Sequence, residues 1–280
     1  MTVSDDDLAA ELAGEAGRRL LGLRASGGEA GALRDAGDRM SHEFLTAELA
    51  RRRPGDAVLS EEGADDSARL SARRVWIVDP LDGTREYGEP GRTDWAVHVA
   101  LWADGELVAG AVGLPAQGTV LSTAMLNSGG PPTRRQARAA TEAPAGTGTD
   151  SGPPLRLLVS RSRPPAFVTE LAASLDAVLV PMGSAGAKAA AVIDGQADAY
   201  VHSGGQYEWD SAAPVAVARA AGLHASRIDG SDLRYNQEDP SVPDILICPI
   251  ELAATLLDAI NRSQTAQPAG WAEPGQTTTQ

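Results

Sequence analysis

The chain carries almost nothing from which to build a covalent framework. Cys248 is the single cysteine in 280 residues. That excludes a disulfide scaffold and fits a reducing, cytoplasmic setting. No apolar run approaches the roughly 18 residues that a membrane helix needs. The opening stretch, MTVSDDDLAAELAGEAG, lacks the basic and apolar regions of a secretory signal. Positive charge is scarce: 24 lysines and arginines stand against 38 acidic residues, for a net charge of −14. General binders of nucleic acid or anionic membrane are normally basic, so both classes start at a disadvantage. An acidic protein that handles polyanions needs a local basic pocket or bound cations. Lysine itself is nearly missing, because Lys188 is the one lysine among the 24 basic residues. Internal repeats are absent.

What is present is ordinary globular material, 42% hydrophobic and 22% charged, which argues against global disorder. A chain of this length can bury a substantial core as one large domain or two lobes. Leu8, Leu12, Ala16, Leu20 and Leu23 recur at helical spacing behind a Ser4 cap and three aspartates, which predicts a first helix. A second is predicted over Ala36–Arg53, stopped by Pro54-Gly55. Short strands are expected at Ala57–Ser60 and Val75–Val78, the latter a continuous apolar run suited to burial on both faces. Three more are expected at Trp95–Trp102, Leu107–Val112 and Thr119–Ala124, with Asp104-Gly105 as a hairpin turn. Residues 1–126 thus form a first lobe. Asn127–Pro154 is rich in Gly, Pro, Thr and Ala and reads as a surface insertion.

A second lobe, 155–263, resumes with the strand LRLLVS, a helix at Ala166–Leu175 and a strand at Val178–Val180. A helix at Ala185–Asp194, the strand ADAYVH, a helix at Asp210–Ala221, the strand DILIC and a helix at Ile250–Arg262 follow. Gln264–Gln280 has little to bury and reads as a disordered tail. Strands and helices mixed in both lobes give an α/β or α+β layered architecture.

The most informative stretch is VWIVDPLDGTRE, Val75 to Glu86. A buried strand runs straight into Asp79, and Pro80 biases Asp79 to extended backbone. Asp82 follows three residues on, then Gly83-Thr84. Two carboxylates on a tight turn at a strand end can face one centre, and such oxygen ligands suit a hard cation. Taken alone, Asp, Pro and Gly are also simply turn formers. Ser60-Glu61-Glu62-Gly63 ends another strand in carboxylates, although a solvated acidic loop explains it equally well. Glu208-Trp209-Asp210-Ser211-Ala212-Ala213 opens a helix, where Asp210 could be only a cap or part of a phosphate-attracting terminus.

Glu61-Glu62, then DPLDGT, then WDSAA, in that order, resembles the inositol monophosphatase superfamily over about residues 5 to 260. The resemblance implies a layered αβαβα sandwich and a Mg²⁺-dependent, lithium-sensitive phosphatase holding two or three ions. It assigns Glu61, Asp79 and the Leu81 carbonyl to one ion, and Asp79, Asp82 and Asp210 to a second. Thr84, with Glu61 or Asp38, would orient the attacking water, and Asp38 stands in a Gly-Asp context where the family usually has Ala-Asp. The N–H groups of Gly83 and Thr84 would cradle the phosphate. A homodimer is common in the superfamily.

The second lobe carries the substrate information. VSRSR (Val159–Arg163) ends a strand with hydroxyls and guanidiniums suited to bidentate phosphate contact, or forms a plain surface loop before Pro164-Pro165. GSAGAK (Gly183–Lys188) allows close backbone approach, offers Ser184 as a cap and places Lys188 as a compact charge. With DGQADAYVH, these resemble the CysQ-type branch that acts on 3′-phosphoadenosine 5′-phosphate (PAP). The resemblance implies hydrolysis of the 3′-phosphate of PAP to AMP in sulfate assimilation, with 3′-phosphoadenylyl sulfate (PAPS) as a related substrate. Lys188 and Arg161 would hold the remote 5′-phosphate, assisted by Ser160 and Ser162. Gly183, Ser184 and Asp210 complete the expected phosphate-side contacts, and His202, Gln206 and Tyr207 of HSGGQYEWD either line a sugar or base pocket or form a plain loop. Two alternatives stay open: a phosphatase for inositol 1-phosphate or fructose 1,6-bisphosphate, and a non-catalytic regulator that binds nucleotide or metal. His42, His98 and His224 show no zinc-like spacing, and Cys248 reads as a buried apolar residue.

Overall fold

The computed structural model describes residues 3–129 and 153–265. Most of the Asn127–Pro154 stretch, and the expected tail beyond Thr265, lie outside the described residues. The first helix, α1 (Asp5–Ala25), starts where Ser4 Oγ accepts from Asp7 N at 3.1 Å, with three aspartates in its first turn. Helix α2 (Ala30–Arg52) begins six residues before the predicted Ala36. Its cap is a glutamate: the Glu29 carboxylate accepts from Gly31 N at 2.9 Å and Ala32 N at 3.0 Å.

Five strands follow in the order β1-β2-β3-β4-β5: β1 (Ala57–Ser60), β2 (Arg74–Asp82), β3 (Ala96–Ala103), β4 (Glu106–Leu114) and β5 (Thr119–Ser122). β1 pairs parallel to β2, and the remaining pairs are antiparallel. Asp104 and Gly105 both take left-handed backbone, φ 48° and 102°, the geometry of a two-residue hairpin turn. Two short helices interrupt the strands: α3 (Thr84–Gly88), where the sequence reads only as a turn, and α4 (Thr123–Asn127), which cuts the expected Thr119–Ala124 strand short. Ser122 Oγ accepts from Met125 N at 3.2 Å and starts α4.

The second sheet has the order β7-β6-β8-β10-β9: β6 (Arg156–Ser160), β7 (Val178–Met182), β8 (Ala199–Tyr207), β9 (Leu223–Ser226) and β10 (Ser241–Pro249). β6 runs parallel to β7 and β8, and β10 antiparallel to β8 and β9. Helices α5 (Val168–Ser174), α6 (Ala185–Ile193), α7 (Glu208–Ala220) and α8 (Ile250–Thr265) complete the fold. β9 has no counterpart in the sequence reading.

The two-residue period of β2 divides the core. Trp76 and Val78 face one way and pack with Val97, Val99 and Leu101 under α1 and α2. Val75 and Ile77 face the other way, onto α6 and α7, which also meet Leu158, Tyr200, Ile245 and Ile247 of the second sheet. On the far side of that sheet, Leu157, Val159, Leu246 and Cys248 pack against α5 and α8. The layers therefore run α, β, α, β, α, as the resemblance implies. α6 is buried along its whole length, which explains its run of alanine and glycine: a middle-layer helix needs small residues on every face. Gly186 is the tightest point, where a Cβ would lie 2.3 Å from His98 Nε2 and 2.8 Å from Val112 Cγ1. Among the described residues, no helix is long and apolar enough to cross a membrane.

Candidate active site

The site begins with an irregularity in β2. Asp79 pairs with His98 and Asp82 with Ala96, so three steps on β2 oppose two on β3. Side chains three apart on a regular strand point to opposite faces; the extra residue resets the alternation and lets both aspartates face the same side. Pro80, which has no N–H, costs the ladder no donor there. Ser41 Oγ, from α2, donates to Pro80 O at 2.7 Å and anchors the bulge from behind. Leu81 N donates to Asp79 Oδ1 at 3.0 Å, and Thr84 Oγ1 donates to Leu81 O at 3.0 Å. Gly83 makes the turn into α3 with φ 84°, a left-handed conformation that costs glycine nothing.

The other ligand candidates arrive from separate elements. Glu61 follows β1, and its carboxyl lies within hydrogen-bond reach of Asp79. Asp210 is the third residue of α7 and accepts from Tyr207 N at 2.7 Å. The carboxylate oxygens of Asp79, Asp82 and Asp210 lie within 4.8 Å of one another, so these three could hold a metal ion. Asp82 also closes the start of α6: its Oδ2 accepts from Ser184 Oγ at 2.5 Å and Gly186 N at 3.0 Å, with His98 Nε2 at 3.2 Å. Asp38, on α2, is within hydrogen-bond reach of Thr84.

The electrostatics of this cluster are lopsided. Burial, then the charges of Glu61, Asp82 and Asp210, push Asp79 well above the ordinary carboxylate range. Glu61 sits at the rim, but its carboxyl turns inward, where desolvation and the charge of Asp210 raise it to about 7. Asp210 rises to about 6 through burial and the charge of Asp82. Burial also opposes ionisation of Asp82, but His98, Lys188 and the Ser184 hydroxyl outweigh it and hold that group at about 2. Asp38 reaches about 7 through desolvation and the charges of Glu62 and Asp35. Among the described residues, no lysine or arginine forms an ion pair with Glu61, Asp79 or Asp210. An all-oxygen donor set short of positive charge fits a hard divalent cation such as Mg²⁺.

A cavity of about 310 Å³ opens onto this cluster. Of the metal, catalytic and substrate residues expected from the sequence, all but Asp38 and Tyr207 line it. Their surroundings differ. Arg161 faces the cavity with its guanidinium already committed: Nε donates to Glu86 Oε1 at 2.9 Å, and Nη1 and Nη2 to the two oxygens of Glu89 at 2.9 and 2.7 Å. Lys188 is buried at 3% exposure. Its Nζ donates to the carbonyls of Gly183 and Ser184 and stands 5.0 Å above the Tyr200 ring. Burial lowers its pKa to about 8 against the pull of Asp82 and Glu86. His202 Nδ1 and Gln206 Oε1 are buried in the cavity wall without a hydrogen-bond partner. Ser160 Oγ accepts from Arg163 N at 3.1 Å.

Arg163, of the VSRSR stretch, lines the cavity, and so do Arg85 and Glu86, which carry no binding signal of their own in the sequence. His98 shows no zinc-like spacing in the sequence. Its place beside Asp82 follows from β-pairing across 16 residues, which no local pattern records.

A model of the inositol monophosphatase family matches residues 7–265. This chain belongs to that family. It is 52% identical over 255 residues to the 3′-phosphoadenosine 5′-phosphate phosphatase of Mycobacterium tuberculosis, covering 88% of this chain and 89% of that protein. The protein of the same description from Mycobacterium leprae is 50% identical over 270 residues, with 92% and 94% covered. Among solved structures, CysQ from Bacteroides thetaiotaomicron superposes with a TM-score of 0.66 at 26% identity, covering 86% of this chain and 96% of that one.

Proposed function

We propose that this chain is a Mg²⁺-dependent phosphatase that hydrolyses the 3′-phosphate of PAP to AMP, and acts on PAPS in the same way, in sulfate assimilation. The supporting observation is one cavity joining two unlike ends: the Asp79–Asp82–Asp210 cluster, and a wall carrying Arg161, Arg163 and Lys188. A bisphosphate needs both ends; a monophosphate needs only the first. The similarity to mycobacterial PAP phosphatases points the same way.

Glu61, Asp79 and the Leu81 carbonyl would hold one Mg²⁺, and Asp79, Asp82 and Asp210 a second. When bound, such ions neutralise phosphoryl charge and make water more acidic. The chain's own contribution is placement. Thr84 Oγ1, fixed by the bond it donates to Leu81 O, orients the attacking water through a free lone pair. Asp38 is the nearby carboxyl that can receive the proton. The Gly83 and Thr84 N–H groups hold the phosphate oxygens in line. Water forms the new P–O bond as the bond to the 3′ oxygen breaks, without a covalent intermediate, and the departing 3′ oxygen takes a proton from solvent water to become the hydroxyl of AMP. Lys188, Arg161, Ser160 and Ser162 hold the remote 5′-phosphate side, and His202 and Gln206 offer their unpartnered atoms to the nucleoside. Remote binding of that kind positions the reacting group.

A panel of PAP, inositol 1-phosphate and fructose 1,6-bisphosphate, with and without Mg²⁺, tests this. PAP should have the highest kcat/KM. A value for inositol 1-phosphate about tenfold above that for PAP would defeat the substrate assignment. This matters because inositol-1-monophosphatase SuhB of Mycobacterium tuberculosis is itself 32% identical over 229 residues. Absence of Mg²⁺-dependent phosphate release from all three would favour a non-catalytic binding protein.

A further inference from the structure

Two of the ligand-bearing segments come from opposite ends of the first sheet and the middle layer, with nearly 150 residues between Glu61 and Asp210. A polar brace with a buried centre of Arg69, Glu208 and Asn236 joins them, and none of its members lines the cavity beside the acidic cluster. Arg69 lies in the 3₁₀ turn Ser67–Ser71, which continues the Glu61 segment, and is 1% exposed. Its Nε and Nη2 take both oxygens of Asp65, four residues past Glu61, at 2.6 and 2.9 Å. Its Nη1 donates to Asn236 Oδ1 at 2.9 Å and its Nη2 to Gln237 O at 2.9 Å. Asn236 Nδ2 returns a bond to Arg69 O at 3.1 Å.

The same two loop residues are held from the other side. Glu208, also 1% exposed, accepts from Asn236 N and Gln237 N, each at 2.7 Å, one on each carboxylate oxygen. Its own N donates to Pro240 O at 2.8 Å. Tyr235 OH donates to Ser211 Oγ at 3.2 Å. Glu208 and Ser211 flank Asp210. The loop around Asn236 is thus a spacer clamped between the Glu61 segment and the first turn of α7.

Charge-assisted, fully satisfied bonds of this kind are stiff and short, and a metal site tolerates little error in ligand spacing. We infer that Arg69 and Glu208 are positioning residues that set the distance between the Glu61 and Asp210 ligand groups, and so tune metal affinity without touching metal or substrate. The inference rests on the metal site described above. It deepens that reading by naming what holds the ligands apart.

Arg69→Lys keeps the charge but cannot serve Asp65, Asn236 and Gln237 together. Glu208→Gln turns one acceptor into a donor facing an N–H. Mn²⁺ binding to the folded variants, measured by the free-ion electron paramagnetic resonance signal, should weaken by about tenfold or more. The KM for PAP at saturating Mg²⁺ should stay at the wild-type value. A role confined to fold stability would lower the melting temperature while leaving Mn²⁺ affinity of the folded protein unchanged, and that result overturns the inference. Should either variant fail to fold, hydrogen exchange on the wild-type chain decides. Added Mg²⁺ must slow exchange at the Asn236 and Gln237 amides more than at those of α8; equal slowing overturns the brace. Absence of Mn²⁺ binding by the wild-type chain would overturn the reading of the site itself, and the brace with it.

Discussion

Replacing Asp210 by asparagine should make the metal-free protein more stable. The substitution keeps shape, and the amide oxygen can still accept from Tyr207 N. What it removes is charge. Asp210 is held near 6 in the folded chain by burial and by Asp82, against about 3.9 when unfolded. Two such units correspond to roughly 3 kcal/mol of penalty at a pH above both values. A Coulomb estimate agrees: carboxylate oxygens within 4.8 Å repel by roughly 3 kcal/mol at an effective dielectric constant of about 20. Partial exposure of Asp210 reduces this, so about 1–3 kcal/mol is expected, or a rise of roughly 2–5 °C in melting temperature for a chain of this length.

The sign with pH is definite. The folded value is raised, so stability tied to this group is intact below about pH 4 and is lost as pH climbs towards 6. The advantage of Asp210→Asn should therefore be full near pH 8 and vanish near pH 4. Calorimetric scans in chelator at both pH values provide the assay. Saturating Mg²⁺ should reverse the ranking, because the second ion needs Asp210 and the wild-type cluster therefore gains more binding energy. A variant that melts at or below the wild-type temperature in chelator near pH 8 would refute the reasoning.

Other substitutions probe the remaining parts. Thr84→Ala should lower kcat by about 10²-fold or more while leaving KM for PAP nearly unchanged, and Thr84→Ser should restore most of the loss. Gly186→Ala drives a methyl group into His98 and Val112; it should cost about 1–3 kcal/mol in denaturant titrations. Lys188→Ala should reduce kcat/KM for PAP more than for inositol 1-phosphate, and equal losses would remove its role at the remote phosphate. Lithium at millimolar concentration should inhibit Mg²⁺-dependent turnover, an expectation that follows from family membership; unchanged rates would count against it.

The acidic cluster was legible because each member sits at an element boundary that sequence marks clearly. The apolar run before Asp79 signals a strand end, and Pro80-Leu81-Asp82-Gly83 signals the turn. The buried helix α6 announced itself through alanine and glycine. Three features were hidden for physical reasons. β9 (LHAS) offers a single large apolar residue, so no strand pattern stands out there, whereas AVLS of β1 offers two adjacent ones. The early start of α2 rests on a glutamate cap, which propensity ranks below serine or aspartate. The pairing of Arg161 with Glu86 and Glu89 spans more than 70 residues of sequence, so a guanidinium that looks free in the chain is already engaged in the fold.

The lone lysine has a practical meaning for chemistry done on this protein. Lys188 is the single side-chain amine, shut between α6 and β8 and occupied by two carbonyls. Amine-directed dyes, cross-linkers and acylating reagents therefore have one side-chain target, and it lies in the wall of the cavity rather than on the outer surface. Acylation at Lys188 should therefore slow when that cavity is filled, which makes this one residue a built-in chemical reporter of its occupancy.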